Sequence, residues 1–385
     1  MAKAASVQIT GMRAIVVGAG LAGLAAADAL AAGGFEVTVF EARDRVGGRV
    51  WSRTLDDGSV VELGGEFVLP PDDVVRRTAR RLGLPLYEKG TLYGDREPRP
   101  PVAREELLAG IARIGGARDG TIRSALEGLG LSPPVLEAIA ARVEVSTGYP
   151  AHEQPASVLA SSGAGFGPFP SHGVAGGNQR LALAFARHLR VELSAPVERV
   201  AWSDDGVHVR ANGAEHEAEA CVIAVPAYVE LVFDPPLPER KRRALAAVRY
   251  GHAAKLFLPL AEPAEPSAVL SVPGRFWAYT QRAPDGSALP VLSAFAGSPL
   301  GVESLTPEAV RELRPDLTFA DAEPVRSEWP EGAYSVRLLE SPLDDEALAE
   351  PVGPLAFAGE HTAGEWHALM EGALRSGERA ARDLI

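Results

Sequence analysis

Residues 13–41 read RAIVVGAGLAGLAAADALAAGGFEVTVFE, and no other stretch limits the fold as strongly. Arg13 to Val17 is a short β-branched run of the kind found in a buried parallel strand. It leads without a break into Gly18-Ala-Gly-Leu-Ala-Gly23 and then into an alanine-rich segment that favours helix. In a strand–turn–helix unit of this kind Gly18 permits the tight turn, Gly20 lets a pyrophosphate approach the backbone, and Gly23 lets the helix pack on the strand. The phosphates then rest on exposed N–H groups at the positive end of the helix. A second β-branched run, Glu36 to Phe40, ends at Glu41, 23 residues after Gly18. That spacing suits the acid that binds ribose hydroxyls, and an acid there argues against a 2′-phosphate.

The glycine motif alone does not separate a nicotinamide dinucleotide from FAD, but the residues after it do. Gly47 and Gly48 stand beside Arg49, which together could add backbone donors and a guanidinium to a pyrophosphate. A second glycine pair, Gly64 and Gly65 in VELGGEF, allows backbone to approach a flat ring closely. Other chemistries find no support. The eight histidines are scattered without an HExxH, so metal catalysis is not expected, and there is no GxSxG elbow. A flavin is the sensible source of reactivity.

Composition narrows the partners. Against 38 Lys and Arg stand 51 Asp and Glu, and the resulting charge of −13 repels nucleic-acid phosphates. The single cysteine, Cys221, excludes an internal disulfide and reads as a core residue. No signal-peptide pattern opens the chain, and no apolar run approaches the roughly 20 residues needed to span a bilayer. The expectation is a soluble, cytoplasmic protein without membrane or nucleic-acid partners. Its oligomeric state is open, a homodimer included.

With the motifs above and with GGNQRLALAFARHL (176–189), APVERVAWSDDGVHV (195–209), CVIAVP (221–226) and FAGEHTAGEWHALMEGAL (357–374), the chain resembles the FAD-dependent amine oxidase family. That family includes monoamine, polyamine and L-amino-acid oxidases. The resemblance implies that Val197 contacts the adenine side of FAD. Gly359 and Glu360 would lie near the ribityl chain, with the N-terminus of the last helix toward the flavin. Lys255 would bind flavin N5 through water and assist reoxidation. Tyr334 and Trp366 would form aromatic walls that orient a neutral amine. Two departures matter. Ala333 stands where monoamine oxidases attach FAD through cysteine, so the flavin is expected to be non-covalent. Leu369 replaces the second cage tyrosine, which tells against a simple arylalkylamine substrate.

Glu66 and Phe67 follow the second glycine pair; Glu66 could meet a cationic substrate or serve a structural hydrogen-bonding role. Phe276, Trp277 and Phe295 lie on candidate pocket strands, with core packing as the alternative. A carboxylate clamp for an amino acid would draw on Arg275 or Arg282.

The expected fold is α/β. A Rossmann-like FAD-binding domain would be built from discontinuous segments (1–70, 176–245 and 350–385), beside an α+β substrate domain with a mixed or antiparallel sheet (71–175 and 246–349). Helical patterns in VVRRTARRLG and REELLAGIARIG and strands in KLFLPL, RFWAYTQR and PVLSAFAG support the second domain. The basic run Arg240 to Arg243 reads as a solvated helix face. The implied reaction moves a hydride from the α-carbon of an amine to FAD, giving an imine and, with oxygen, hydrogen peroxide. The alternatives are an L-amino-acid oxidase, a desaturase or dehydrogenase using another acceptor, and an FAD-binding scaffold without activity.

Overall fold

The strand Arg13–Val17 pairs in parallel with Glu36–Phe40 on one side and with Ala220–Ile223 on the other. Leu355–Phe357 extends the sheet beyond 220–223, and Arg190–Glu192 extends it beyond 36–40. Every pairing is parallel, as expected for short apolar strands buried on both faces. The computed structural model describes residues 11–115, 119–160, 167–330 and 332–385.

The first turn shows why glycine is required. Gly18 has φ +105°, and a Cβ there would lie 2.9 Å from the Ala224 carbonyl oxygen. A Cβ on Gly23 would lie 1.9 Å from the Gly18 oxygen, so the helix Leu21–Ala32 sits directly on the turn. Along the same helix runs the terminal helix Met370–Arg382, with Gly377 so close that a Cβ would reach 2.2 Å from the Ala22 oxygen. The chain end is therefore part of the nucleotide-fold layer. Cys221 is fully buried in the parallel sheet, among Ile15, Phe40 and Phe357.

Two compact units emerge. The first comprises the segment up to Val50, Gln179–Val248 and Leu343–Ile385; the second comprises Trp51–Asn178 and Arg249–Pro342. The first boundary falls at Val50 where the sequence suggested residue 70, because Ser52–Thr54 and Val60–Glu62 form their own two-stranded ribbon.

The second unit carries a six-stranded sheet. Its order runs 325–329, 253–259, 291–296, 276–280, 267–271, 97–99. All neighbours are antiparallel except the last pair, so the sheet is mixed. The helices Asp73–Arg81, Arg104–Ala112 and Pro133–Thr147 belong to this unit.

One surface expectation fails. In the helix Glu239–Ala247, Arg240 is exposed and pairs with Asp344 and Glu346, but Lys241 is only 3% exposed. Its Nζ donates to the carbonyls of Leu348 (3.3 Å) and Glu350 (2.5 Å) and lies 4.0 Å from the centre of the Phe357 ring. Burial pushes Lys241 down to about 8. The expected connection SPLDDEALAEPVGP holds a short helix, Asp345–Ala349, whose C-terminal carbonyls Lys241 caps.

Candidate active site

The first unit presents a cradle for a dinucleotide. Gly20 caps the helix Leu21–Ala32 in extended conformation without any side-chain cap, which leaves first-turn N–H groups facing outward. A Cβ built on Gly20 meets nothing within 4 Å, whereas those on Gly18 and Gly23 collide with backbone. The open space in front of Gly20 is what a pyrophosphate approaching the chain requires. Gly47 N donates to the Ala19 carbonyl at 2.8 Å, and Gly47 and Gly48, both at positive φ, lay the next turn against Gly20.

Glu41 stands at the end of the second strand. Its Oε2 accepts from Ala19 N at 2.8 Å and its Oε1 from Arg43 N at 3.0 Å. The carboxylate is thus fixed in direction and each oxygen keeps a lone pair for a ribose hydroxyl. Ala195 N donates to the Glu41 carbonyl at 2.8 Å, which starts the strand Val197–Ser203 beside this acid and brings half-buried Val197 with it.

Arg49 Nη1 donates to Glu360 Oε1 at 2.6 Å, and Glu360 Oε2 accepts from Ala368 N at 2.7 Å. One buried carboxylate therefore joins the arginine beside the second turn to the loop that opens the terminal helix. That helix begins at N-cap Leu369, again with no side-chain cap. Gly359 adopts φ +140°, where a Cβ would strike the His361 ring. Trp366 is half-buried, with the Arg375 guanidinium 4.5 Å from its ring centre. Gly18, Gly20, Gly23, Glu41, Arg49, Val197, Gly359 and Glu360 thus all belong to one unit, and their arrangement fits FAD.

His361 is 3% exposed, and burial holds its imidazole down to about 4 despite the neighbouring Glu360. The unfolded chain takes up this proton below about 6.5 and the folded chain only below about 4, so stability falls as pH drops through that window. The loss expected from this group is at most about 3 kcal/mol. Denaturant titrations from pH 7 to 4 should show it, and His361→Gln should flatten that part of the curve; an unchanged slope in the variant would exclude the assignment.

In the second unit the candidate residues meet in a buried charge network. Lys255 Nζ donates to Glu66 Oε2 (2.6 Å) and to the Glu62 carbonyl (2.9 Å). Glu66 Oε1 accepts from Lys89 Nζ (3.1 Å) and Gln281 Nε2 (2.8 Å), and the Tyr279 hydroxyl donates to Glu66 Oε2 at 2.6 Å. Burial alone would raise the Glu66 carboxyl, but Lys255 and Lys89 reverse that and hold it at about 2. Glu62, with Ser52 and Asn178 as donors, is pushed up by burial. Asn178 Nδ2 also ties down the carbonyls of Gly65 (3.2 Å) and Glu66 (2.6 Å), fixing the strip that carries Gly64 and Gly65. Four side chains already occupy the two oxygens of Glu66, which corrects the expectation that it waits for a substrate cation.

The aromatic residues divide. Tyr334 has its hydroxyl against Gly148 and Gly297, where a Cβ would approach it to 3.1 Å and 2.5 Å, and no hydrogen bond reaches that hydroxyl among the described residues. Burial raises its pKa. Half-buried Phe67 packs edge-on to Tyr93 at 5.3 Å and tilted on Trp277 at 5.8 Å. Trp277, expected in the pocket wall, is 1% exposed and stacked on Tyr279 at 4.1 Å, so its ring is a core element. Neither expected clamp arginine is available. Arg275 pairs with Glu137 and Glu144, and Arg282 pairs with Glu265 at the surface. Sequence reading missed Lys89, Arg96 and Arg142, all buried. Charged residues within the otherwise strand-like LYEKGTLYG were the available signal for Lys89.

Among the described residues no group of three or more His, Cys, Asp or Glu could hold a metal ion, and no helix is long and apolar enough to cross a membrane. The family described as flavin containing amine oxidoreductase matches residues 21–106 and 135–385. Flavin-containing amine oxidase B of Sus scrofa is 26% identical, with 96% of this chain and 85% of that protein aligned. Putrescine oxidase of Kocuria rosea is also 26% identical, over 96% of this chain and 94% of its own. A solved structure of wild-type putrescine oxidase bound to putrescine superimposes with a TM-score of 0.82 at 25% identity, covering 97% of this chain and 98% of that one. A cyclohexylamine oxidase from Brevibacterium oxydans shares the fold, with a TM-score of 0.80 at 21% identity over 97% of this chain and 98% of that one. The chain belongs to the flavin-containing amine oxidoreductase family and is an FAD-dependent amine oxidase.

Proposed function

We propose that the protein oxidises a small primary amine with oxygen as the electron acceptor, holding FAD without a covalent bond. The open approach to Gly20, beside a fixed Glu41 and between two uncapped helix N-termini of one unit, carries the cofactor part of this reading. When bound, FAD accepts a hydride equivalent from the amine α-carbon and hands the electrons to oxygen, leaving an imine that water hydrolyses and hydrogen peroxide. The first-turn N–H groups and Arg49 would bind its phosphates, and Glu41 its ribose. The terminal helix offers positive potential to a reduced, anionic ring. Non-covalent binding is supported by Ala333 and by the complete burial of the sole cysteine within the sheet.

Lys255 keeps its ammonium through the short bond to Glu66, so a fixed positive charge is available to favour electron transfer to oxygen. Tyr334 and Trp366 would shape the space for the amine, with Leu369 making it wider and more apolar than a tyrosine would. The similarity to putrescine oxidase points to small aliphatic amines, but Glu66 is not free to receive the second ammonium of a diamine.

Anaerobic addition of amines to the purified holoenzyme tests the reading. One class of small amine should bleach the oxidised-flavin band, and admitting oxygen should restore it with stoichiometric peroxide. Acid precipitation should leave the flavin in the supernatant. Failure of every amine to bleach bound FAD would overturn the proposal.

A further inference from the structure

The second unit buries two guanidinium groups side by side. Arg96 and Arg142 are each 5% exposed. Arg142 Nη1 donates to Ser146 Oγ at 2.5 Å, and Arg96 Nη2 reaches the same oxygen at 3.4 Å. Arg96 Nε donates to the Tyr93 carbonyl at 3.1 Å, and its guanidinium lies 3.6 Å from the centre of the Trp277 ring. Its Nη1 is buried and has no hydrogen-bond partner among the described residues, and no carboxylate bonds to Arg96. Elsewhere in this unit a buried or half-buried guanidinium is matched by acid, as Arg275 is by Glu137 and Glu144 and Arg314 is by Asp316. Burial and the charge of Arg142 both push Arg96 well down, the signature of a cation placed where the protein supplies no anion.

The two arginines open on a cavity of ≈ 300 Å³, its mouth included, whose remaining walls are Gly94, Pro98, Leu107, Ile111, Ala138, Ile139 and Leu270. Two guanidiniums at one end of an apolar space match a carboxylate on a short hydrocarbon stem. The site is continuous with the candidate catalytic residues of the same unit. Arg96 lies on Trp277, Trp277 stacks on Tyr279, and Tyr279 donates to the Glu66 that holds Lys255. Arg96 is also among the charges acting on the Tyr334 hydroxyl.

We propose that Arg96 and Arg142 form an anion site that binds the carboxylate of the substrate, so that the amine oxidised is one bearing a carboxylate on a short aliphatic chain. This rests on the amine-oxidation reading for the fate of the amine, but the carboxylate site stands on its own geometry. The arrangement also explains why an acid-poor pocket would suit this enzyme: a second ammonium is repelled where a carboxylate is held.

Butyrate, which carries the carboxylate and no amine, separates the two readings. Titrated into the holoenzyme in a calorimeter, it should bind saturably, and Arg96→Met should weaken it about 10–100-fold. Arg96→Lys, which keeps the charge and loses the planar fork, should weaken it by less; it also serves if the methionine variant does not fold. In turnover, 4-aminobutyrate should have a lower KM than butylamine, and butyrate should raise the KM for 4-aminobutyrate without changing kcat. No binding of butyrate to wild type, or equal binding to wild type and both variants, would overturn the site even if amines bleach the flavin. Binding that leaves the KM for 4-aminobutyrate unchanged would show that the site takes a separate carboxylate, and would overturn the substrate assignment. Loss of all amine turnover with butyrate binding intact would sink the amine-oxidase reading and leave the anion site.

Discussion

Replacing Glu66 by leucine will destabilise the protein by about 3–5 kcal/mol, the range for removing one partner from a buried ion pair. Glu66 is the acid on which two ammonium groups converge, Lys255 at 2.6 Å and Lys89 at 3.1 Å, and both lysines are almost fully buried. Leucine leaves Lys255 with one backbone carbonyl and Lys89 with a weak contact to Gln281 at 3.4 Å. Tyr279 loses its acceptor as well. Glu66→Gln retains an acceptor oxygen without the charge and should fall between wild type and leucine. The triple change Glu66→Leu, Lys89→Met, Lys255→Met should recover much of the loss, because apolar residues of similar volume replace the ions together. Urea titrations of the four proteins, each saturated with FAD, provide the comparison. The acid limb offers a second check. Glu66 is held at about 2 against an ordinary 4.5, so its contribution is complete above about 4.5 and lost as pH falls toward 2. That part of the pH dependence should be missing from the leucine variant. A leucine variant within about 1 kcal/mol of wild type would show that the network is far better solvated than its burial implies.

The network also marks where sequence reading stops. Gly18, Gly20, Gly23 and Glu41 were legible because their roles are settled within one strand–turn–helix–strand unit, where steric demands act on near neighbours. The return of the terminal helix was legible from GEHT and MEGA, whose small and charged residues do not suit a plain amphipathic end. Lys89, Arg96 and Arg142 were not legible. Lys89 sits beside Gln281, 192 positions away, and Arg96 lies on Trp277, so only the assembled sheet decides that these cations are inside. Lys241 shows the same effect in the other unit. Its sequence neighbours Arg240, Arg242 and Arg243 are exposed, and it turns inward because carbonyls and a ring roughly a hundred residues later lie beneath it. Arg275 and Arg282 misled for the converse reason, since acids distant in sequence had already claimed them.

Gly20 and Gly23 are three residues apart, yet their replacement should have opposite consequences. Gly20→Val should give a protein that folds and does not hold FAD. Its φ of −72° and ψ of 175° are open to any residue, and a side chain there meets nothing within 4 Å. The stability of the flavin-free protein should stay within about 1 kcal/mol of wild type, since the unfolded chain loses some freedom and the folded chain gains no clash. The same open space is where the pyrophosphate must come, and a branched side chain holds it off the first-turn N–H groups. Losing two such charge-assisted bonds predicts FAD affinity lower by about 100-fold or more. Gly23→Ala reverses the pattern. Its methyl would be driven to 1.9 Å from the Gly18 carbonyl oxygen, and neither the helix nor the turn can yield without disturbing Gly18 itself. The flavin-free protein should lose about 3 kcal/mol or more, and FAD, if enough is added, should recover part of it by mass action. Denaturant curves of the flavin-free proteins and calorimetric FAD titrations separate the two effects. If the Gly20 variant retains FAD like wild type, the phosphates do not lie at this turn, and the cofactor must be placed against another part of the first unit.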